Sequence, residues 1–551
     1  MINTNIASYL PAMARQTPDG WAVVVQAKRR QKKANYKCAY TFQQLNDESD
    51  HIAHGLIASG IKKGTRTVLM VKPGLDFFAL VFALFKIEAV LVAIDPGMGI
   101  KNVGKCLAES DAEAFIGNAS AQIARLLFRW AKGSLKQTIL VGKNPILSLL
   151  MPTMESMKAQ TNRQTLIIGN TKPEELAAIL FTSGSTGIPK GVKYSHANFF
   201  AQVETLRSLY EIESGEIDLA TFPLFGLFAP ALGMTSIVPD MDFTRPGNVN
   251  PEKIIDAVVD YQCTNMFGSP ALLNRVGRHY ENINMSLPSL KRVLSAGAPV
   301  SAGILKSYSK LINDDVQIFT PYGATESLPV CSIGSHEVIR DTALDTERGK
   351  GVCIGKPVSN IDLKIIHITD EEISEWNQIE LMPIGKVGEI CVSGPQVTSE
   401  YYNRELQTRL AKIRDGNNFY HRMGDLGYQD EQGRIWFCGR KSHRVETIDN
   451  TYFSDCVEGI FNTHKDVFRS ALVGVIIQGY MTPVICIEFE QSYQEVIYNK
   501  IQAELLSLAQ RHDMTKSITL FLPHSGFPVD IRHNAKINRE QLADWASQQL
   551  A

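Results

Sequence analysis

A loop rich in glycine and hydroxyl groups, followed by a lysine, is the part of the sequence best suited to binding phosphate. Residues 180–199 read LFTSGSTGIPKGVKYSHANF, and an apolar segment at 177–181 leads into the loop. The loop itself comprises Thr182, Ser183, Gly184, Ser185, Thr186 and Gly187. Glycine lets the backbone approach an anion closely, the hydroxyls add hydrogen-bond donors, and Lys190 adds a positive charge. The pattern predicts a polyphosphate site, with a Ser/Gly turn between two strands as the alternative.

The loop differs from a Walker A phosphate loop, because Pro189 precedes Lys190 and the pattern G-x-x-x-x-G-K-[ST] does not fit. Five further motifs follow it: SAGAP at 295–299, TPYGATES at 320–327, GKVGEICVSGP at 385–395, GDLGY…GRIWFCGRK at 424–441 and RHNAKINR at 532–539. With the loop, they resemble the adenylate-forming superfamily of acyl-CoA synthetases, peptide synthetase adenylation domains and luciferases over nearly the whole chain. The resemblance implies an enzyme that uses ATP and Mg²⁺ to convert a carboxylic acid into an acyl-AMP, with release of pyrophosphate.

Within the TPYGATES motif, the resemblance implies that Tyr322 stacks on adenine, Thr325 contacts the α-phosphate and Glu326 holds Mg²⁺. These roles suit the residue types, because an aromatic face fits a purine and a carboxylate oxygen fits a hard cation. The alternative is a Thr–Glu pair that caps a helix. The remaining residues expected to border the nucleotide are Gly297, Ala298, Pro299, Gly323 and Ala324.

Three charged residues complete the site implied by the resemblance. Asp425 resembles the family aspartate that accepts hydrogen bonds from both ribose hydroxyls, a task suited to two acceptor oxygens. Arg440 resembles the arginine that reaches the ribose or a phosphate. Lys536 matches the lysine that bridges the substrate carboxylate and the α-phosphate, with Thr325 and Glu326 as the other catalytic residues. An aspartate in a β-turn and an ordinary exposed lysine are the alternatives.

The segment at 223–233, PLFGLFAPALG, indicates which class of acid is activated. Amino-acid-activating members of the superfamily carry an aspartate there that pairs with the substrate ammonium, and Gly226 takes its place in this chain. Because a buried ammonium without a counter-charge is costly, an α-amino acid is disfavoured. Neighbouring apolar residues indicate either an apolar acyl channel or plain core: Phe222, Phe225, Leu227, Phe228 and Phe267.

The fate of the adenylate is indicated by residues 444–456, which read RVETIDNTYFSDC. Acyl-CoA ligases have a K-x-x-G turn there, and other residues do not readily replace a glycine with positive φ, so a reaction with CoA is in doubt. The stretches at 238–246, 267–273 and 527–537 resemble one subfamily, the olefin β-lactone synthetases of bacterial long-chain hydrocarbon synthesis. That resemblance implies a 2-alkyl-3-hydroxyalkanoic acid, whose 3-hydroxyl attacks the activated carboxyl, expels AMP and closes a β-lactone.

Two other functions remain open. A long-chain fatty acyl-CoA or acyl-carrier-protein ligase would need a thiol, whereas a nucleotide-binding scaffold would lack catalysis, against which the presence of Lys536 argues. The base for ring closure is unassigned between His196 and His533, and the common S/T-H motif favours a structural role for His196. The expected partners are a hydroxy fatty acid or other lipid-like carboxylic acid, together with other enzymes of a hydrocarbon or β-lactone pathway.

Composition excludes several other classes of function. The chain of 551 residues has 56 Lys and Arg against 57 Asp and Glu, so no field of the whole molecule attracts nucleic acid or an anionic membrane. The basic run KRRQKK at 28–33 is interpreted as a solvated hairpin tip, with a binding patch as the alternative. Nine cysteines without a C-x-x-C pair favour a reducing, cytoplasmic location, and no secretory signal is recognised.

The chemistry must be positioned by alternating β-rich and helical segments, which predict a mixed α/β fold with largely buried sheets. The expected strands include 66–71, 113–117, 165–169, 177–181 and 292–297. The apolar stretch at 77–94 is interrupted by charges and predicts a buried helix–strand unit rather than a membrane span.

Two domains are expected, with the boundary at residues 439–442. Residues 1–440 are predicted to form a large domain of stacked α/β layers plus a barrel-like β portion, and residues 441–551 a small, mobile α+β domain. Because Lys536 and the phosphate loop fall in different domains, catalysis implies closure across a hinge. Alignment from Arg440 puts the hinge at Ser442, where most family members have Asp or Lys.

Overall fold

The computed structural model describes residues 4–27, 34–182, 189–222, 226–283, 285–490, 495–529 and 536–550. Four of the sequence predictions fall outside these residues: the basic run at 28–33, the loop residues 183–187, Phe225 and His533.

The elements of the described residues follow one another in an α/β pattern. The strands are β1 (Trp21–Val25), β2 (Ala39–Thr41), β3 (Arg66–Met70), β4 (Val90–Ala93), β5 (Ala114–Asn118), β6 (Gln137–Val141), β7 (Leu176–Phe181), β8 (Gly191–Ser195), β9 (Ile217–Ala220), β10 (Thr235–Val238), β11 (Asn265–Phe267), β12 (Arg292–Leu294), β13 (Gln317–Ala324), β14 (Ser327–Gly334), β15 (Val352–Pro357), β16 (Asp362–Ile366), β17 (Gly388–Ser393), β18 (Lys412–Asp415), β19 (Asn418–Gln429), β20 (Ile435–Arg440), β21 (Val445–Glu446), β22 (Thr451–Tyr452), β23 (Val467–Ile477), β24 (Tyr480–Phe489) and β25 (Leu520–Pro523). The α-helices are α1 (Tyr9–Gln16), α2 (Phe42–Ala58), α3 (Leu75–Lys86), α4 (Ile100–Glu109), α5 (Ala119–Leu127), α6 (Leu147–Leu150), α7 (Met154–Lys158), α8 (His196–Leu209), α9 (Phe228–Ala231), α10 (Pro251–Tyr261), α11 (Pro270–Tyr280), α12 (Ala302–Ser309), α13 (Ser335–Glu337), α14 (Ala343–Glu347), α15 (Glu405–Ala411), α16 (Ser454–Phe461), α17 (Glu495–Ala509) and α18 (Arg539–Leu550).

A six-stranded sheet carries the phosphate loop. Its order is β6-β5-β3-β4-β7-β8, and every pair is parallel except β7 with β8. Helix α3 packs on this sheet with almost every side chain buried, which explains its nearly continuous apolar sequence. The buried Lys86 at its end is compensated, because its Nζ lies 2.6 Å from Asp50 Oδ1 and donates to Ser49 Oγ at 2.7 Å, both on α2.

A second, 14-stranded sheet supplies the other side of the site. From β2, its order runs through β1, β10, β9, β11, β12 and β13, and these strands are parallel from β1 to β13. Beyond β13 the sheet continues as antiparallel strands β14, β15, β20, β19, β17 and β16, with β18 paired to β19. Residues after Arg440 form separate two- and three-stranded sheets, β21–β22 and β23–β25.

The mixed α/β class is confirmed, and so is the helix–strand unit predicted at 77–94, which forms α3 and β4. The strand predicted at 165–169 is wrong, since this segment has no regular secondary structure. Its alternation is real, because Leu166 and Ile168 pack on the core while Ile167 is 92% exposed. No described strand pairs with it, and without backbone pairing the alternation forms no sheet. Among the described residues, no helix combines the length and apolar composition needed to cross a membrane.

Candidate active site

One cavity of about 1250 Å³ brings together most of the predicted nucleotide-binding and catalytic residues that lie in the described part of the chain. Its walls include residues at the carboxyl ends of strands from both large sheets, where α/β proteins commonly bind ligands. The predicted residues that line it are Thr182, Lys190, Gly297, Gly323, Ala324, Thr325, Glu326, Arg440 and Lys536. The predicted residues that do not line it are Ala298, Pro299, Tyr322 and Asp425.

Asp425 is nonetheless connected to the cavity through Arg440. The two residues lie opposite each other on β19 and β20, with Asp425 Oδ1 3.1 Å from Arg440 Nε. The Tyr322 hydroxyl donates to Asp425 Oδ2 at 2.6 Å. Burial raises the pKa of Asp425, while the Arg440 charge and the Tyr322 hydrogen bond lower it. Asp425 Oδ1 receives no well-aligned hydrogen bond from the described residues, so this buried acceptor suits a ligand hydroxyl.

A second cluster surrounds the carboxylate of Glu326, which is only 8% exposed. The hydroxyl of Tyr401 donates to Glu326 Oε1 at 2.6 Å. Lys190 reaches the same tyrosine from the phosphate loop, because its Nζ lies 3.5 Å from the Tyr401 hydroxyl and 4.5 Å from the centre of the ring. Burial lowers the pKa of Lys190, and the charge of Glu326 opposes this shift. The loop lysine and the predicted metal carboxylate therefore meet at one tyrosine.

A further lysine stands beside this cluster. Burial lowers the pKa of Lys412 to about 7, partly opposed by the charge of Glu326, and its Nζ donates to the Thr398 carbonyl. The backbone of the TPYGATES segment is held in place by its neighbours. The Tyr194 hydroxyl donates to the Thr325 carbonyl at 2.5 Å. Gly323 cannot be replaced here, because a Cβ would lie 2.5 Å from the Ser327 carbonyl oxygen. The TPYGATES segment is thus fixed on both sides of the predicted contacts to phosphate and metal.

Lys536 reaches the cavity from the C-terminal residues. The next residue, Ile537, forms an isolated antiparallel bridge with Val529, and the Asn538 N–H donates to the Pro528 carbonyl at 2.8 Å. At the start of α18, Arg539 forms two hydrogen bonds with Glu458, at 2.6 and 3.0 Å. The segment that carries Lys536 is therefore anchored within residues 441–551, while its side chain lines a cavity built mainly from residues before 441.

One part of the cavity wall is apolar. Of the predicted channel residues, Phe222, Leu227, Phe228 and Phe267 line the cavity. Helix α3 adds Phe77, Val81, Phe82 and Phe85 to the same wall. Gly226 is buried, and a Cβ there would lie 2.7 Å from the Cβ of Ala220. An aspartate side chain at this position would have no room, which agrees with the prediction against an α-amino acid substrate.

His196 has a structural position. It is 1% exposed, does not line the cavity, and its Nδ1 accepts a hydrogen bond from the Ile6 N–H at 3.1 Å. Burial lowers its pKa to about 4, so the ring is neutral at physiological pH. His196 therefore ties the N-terminal segment to α8 and is not a base for ring closure.

The sequence analysis missed Tyr401, Lys412 and Tyr194. Tyr401 lies 75 positions from Glu326 in the chain, within a polar stretch at 395–408 that reads PQVTSEYYNRELQT. No local pattern connects the two residues. Their contact depends on the isolated antiparallel bridge between Tyr401 and Val192, which brings this stretch of the chain back to β8. The only signal in the sequence is the paired tyrosines at 401–402 within that polar stretch.

Known proteins are similar to this chain in both sequence and fold. A family model described as AMP-binding enzyme matches residues 10–402. The chain is 44% identical over 551 residues to the olefin β-lactone synthetase of Xanthomonas campestris pv. campestris, a match that covers 99% of this chain and 98% of that protein. The predicted resemblance to the adenylate-forming superfamily, and within it to the olefin β-lactone synthetases, is confirmed.

Two solved structures illustrate the similarity in fold. The amide bond synthetase of Marinactinospora thermotolerans superposes with a TM-score of 0.79 at 19% identity, covering 98% of this chain and 99% of that one. The O-succinylbenzoate coenzyme A synthetase of Bacillus subtilis, in complex with ATP and magnesium ion, superposes with a TM-score of 0.76 at 19% identity, covering 97% and 98%. At this level of identity the similarity establishes the fold alone.

Proposed function

The chain belongs to the AMP-binding enzyme family, and on that premise we propose that it converts a 2-alkyl-3-hydroxyalkanoic acid into an acyl-AMP and then into a β-lactone. The observation that carries the proposal is the 44% identity, over nearly the whole chain, to an olefin β-lactone synthetase. The apolar cavity and the buried Gly226 support a lipid-like acid without an amino group. Enzymes of a hydrocarbon or β-lactone pathway are proposed as suppliers of this acid. The nine unpaired thiols support a reducing cytoplasm as its compartment.

The proposed ATP site extends from Asp425 to the phosphate loop. Asp425 accepts hydrogen bonds from the ribose hydroxyls, for which its Oδ1 has no aligned donor among the described residues. The charge of Arg440 opposes the rise in the pKa of Asp425 that burial causes, and Arg440 itself lines the cavity. Thr182 and Lys190 bind the phosphates, and Lys190 contacts Tyr401, the tyrosine whose hydroxyl donates to Glu326.

Glu326 is the proposed ligand of Mg²⁺, which would neutralise negative charge on the phosphates when bound. Tyr401 fixes one oxygen of this carboxylate, and the other oxygen is the proposed ligand. The charge of Glu326 raises the pKa of Lys190 and of Lys412 and so opposes the effect of burial on both lysines. Tyr401 therefore positions the metal carboxylate and the loop lysine relative to each other.

Residues 441–551 are proposed to act as a lid that delivers Lys536. Lys536 bridges the substrate carboxylate and the α-phosphate, so that two negative groups can approach for in-line attack. In this structure Lys441 Nζ donates to the Thr369 carbonyl at 2.8 Å, and Arg444 Nη2 lies 2.6 Å from Asp370 Oδ2. Rotation about Ser442 would break these two contacts between residues 441–551 and the larger part of the chain. The contacts therefore help to set the orientation of the lid.

Ring closure requires no external nucleophile. The 3-hydroxyl of the bound acid attacks the activated carboxyl, loses its proton and expels AMP, so the cavity has to hold the two groups together and to assist loss of that proton. The hairpin β21–β22 contains no glycine, which supports a reaction without CoA. A fatty acyl-CoA or acyl-carrier-protein ligase is the alternative, and dependence of the product on a thiol separates the two.

Exchange of labelled pyrophosphate into ATP tests adenylate formation and the nucleotide site together. We expect exchange that depends on added hydroxy acid, and for Asp425→Asn a rise of about tenfold in the KM for ATP, because one charge-assisted acceptor for the ribose is lost. The matched control is Asp430→Asn, an aspartate on the turn after β19 whose partners are Arg434 and Trp436. An unchanged KM in Asp425→Asn, or no exchange with the natural chain, would contradict the assignment.

A further inference from the structure

One segment of the chain concentrates positive charge and exposed apolar side chains. Residues 119–154 contain five basic residues, Arg125, Arg129, Lys132, Lys136 and Lys143, and no acidic residue. The formal charge of −1 for the whole molecule hides this local excess. Several large apolar side chains exposed within one short segment that also carries charge indicate a site of interaction.

Helix α5 is apolar on two faces. Its inner face contributes Ala121 and Ala124 to the wall of the active-site cavity, and Trp130, just beyond the helix, lines the same wall. The outer residues at its C-terminal end are exposed by 48% at Leu126, 72% at Leu127 and 47% at Phe128. The helix is therefore a thin wall with the cavity on one side and exposed apolar side chains on the other.

Helix α6 extends the exposed apolar surface beside α5. Ile146, Leu149 and Leu150 are 73%, 87% and 69% exposed. The two helices follow the adjacent parallel strands β5 and β6, and Ala119, at the start of α5, packs on the small core around Leu147. We call this surface, formed by Ile123, Leu126, Leu127, Phe128, Ile146, Leu149 and Leu150, the α5–α6 face.

The cations of the segment differ in their contacts. Lys136 lies 2.8 Å from Glu113, and Arg125 bonds Gln122 and lies over the Phe115 ring, so both have partners within the protein. Arg129, Lys132 and Lys143 are exposed, and no acidic residue lies near them in the sequence. An anionic partner is the complement of such a surface.

We propose that the α5–α6 face docks on an anionic lipid surface, with its apolar side chains among the acyl chains and its exposed lysines at the headgroups. An apolar face flanked by lysine and arginine without acidic residues is the pattern of interfacial membrane binding. The segment carries no acidic residue that could pair with cations of a protein partner, and an anionic lipid surface needs none. Docking would place the wall of the cavity against the bilayer, the phase in which a long-chain acid is concentrated.

Sedimentation with vesicles tests the proposal with the full chain. We expect binding to vesicles of phosphatidylglycerol and phosphatidylcholine, much weaker binding to pure phosphatidylcholine, and loss of binding as salt rises. Leu127→Ser combined with Leu149→Ser should reduce the partition coefficient at least about tenfold. Lys132→Gln combined with Lys143→Gln should reduce it about fivefold for each cation removed.

The matched control replaces exposed apolar residues elsewhere, Leu344→Ser combined with Ile448→Ser, which are 63% and 81% exposed and should leave binding unchanged. ATP–pyrophosphate exchange with a short, water-soluble hydroxy acid should be the same in all four proteins, since none of the changed residues lines the cavity. Equal vesicle binding by the natural chain and the leucine variant would overturn the proposal. So would a natural chain that ignores anionic vesicles, or one that forms a dimer which the leucine variant loses.

Discussion

Lys536→Ala should reduce acid-dependent adenylate formation on the order of 10²-fold or more. The lysine lines the cavity from a segment anchored by Ile537 and Arg539, so its removal takes one cation from the reacting groups without disturbing the fold around it. The nucleotide contacts proposed for Asp425 and Lys190 lie in the larger part of the chain and should persist. Pyrophosphate exchange measures the loss, and calorimetric binding of ATP should give a Kd near that of the natural chain.

The control for this prediction is Lys500→Ala on α17, a lysine whose side chain is 76% exposed and which should leave both measurements unchanged. If Lys536→Ala retained near-normal pyrophosphate exchange, Lys536 would not act on the reacting groups, and closure of residues 441–551 would lose its proposed purpose. Loss of ATP binding together with exchange would instead assign Lys536 to the nucleotide site.

Gly226→Asp should lower the free energy of unfolding by on the order of 3 kcal/mol or more. A Cβ at this position lies 2.7 Å from Ala220 Cβ and 3.6 Å from the ring of Phe78, so the side chain must displace the core. The carboxylate would also be buried, and of the three atoms nearest to the added Cβ only the Ser236 hydroxyl oxygen, at 3.4 Å, is polar and none is cationic. Urea denaturation followed by fluorescence or circular dichroism measures the loss.

Gly226→Ala separates the two causes, because it introduces the steric conflict without the charge and should cost about 1–3 kcal/mol. An aspartate variant as stable as the alanine variant, with new pyrophosphate exchange in the presence of α-amino acids, would show that the pocket accepts an ammonium. The exclusion of amino acids from the proposed substrates would then be wrong.

The strongest local patterns in the sequence predicted the elements that carry the site. The apolar run at 177–181 became β7 with one residue added, because hydroxyl and glycine residues end it abruptly. The charged residues Lys86 and Glu88 within the apolar stretch at 77–94 indicated a helix followed by a strand, and the structure has α3, which ends at Lys86, followed by β4. The motif order also predicted that Thr182, Glu326, Arg440 and Lys536 share one site, and they line one cavity.

Contacts between distant segments could not be predicted in the same way. The bond from Tyr401 to Glu326 and the alignment of Asp425 with Arg440 depend on strand register, which no single segment encodes. Apolar residues such as Leu127 and Leu149 are usually read as core, and only the packing shows them exposed. The strand predicted at 165–169 was wrong for a related reason, since its sequence alternates like a strand but no described strand pairs with it.

Identification of the product by mass spectrometry tests the proposed lactone synthesis most directly. With Mg-ATP and a 2-alkyl-3-hydroxy fatty acid, and without CoA, we expect AMP in proportion to the acid consumed and a product lighter than the acid by one water. A plain fatty acid lacks the internal nucleophile and should turn over poorly, and added CoA should accelerate neither reaction. Efficient thioester formation from plain fatty acids, with no dehydrated product from the hydroxy acid, would contradict lactone synthesis and identify an acyl-CoA ligase.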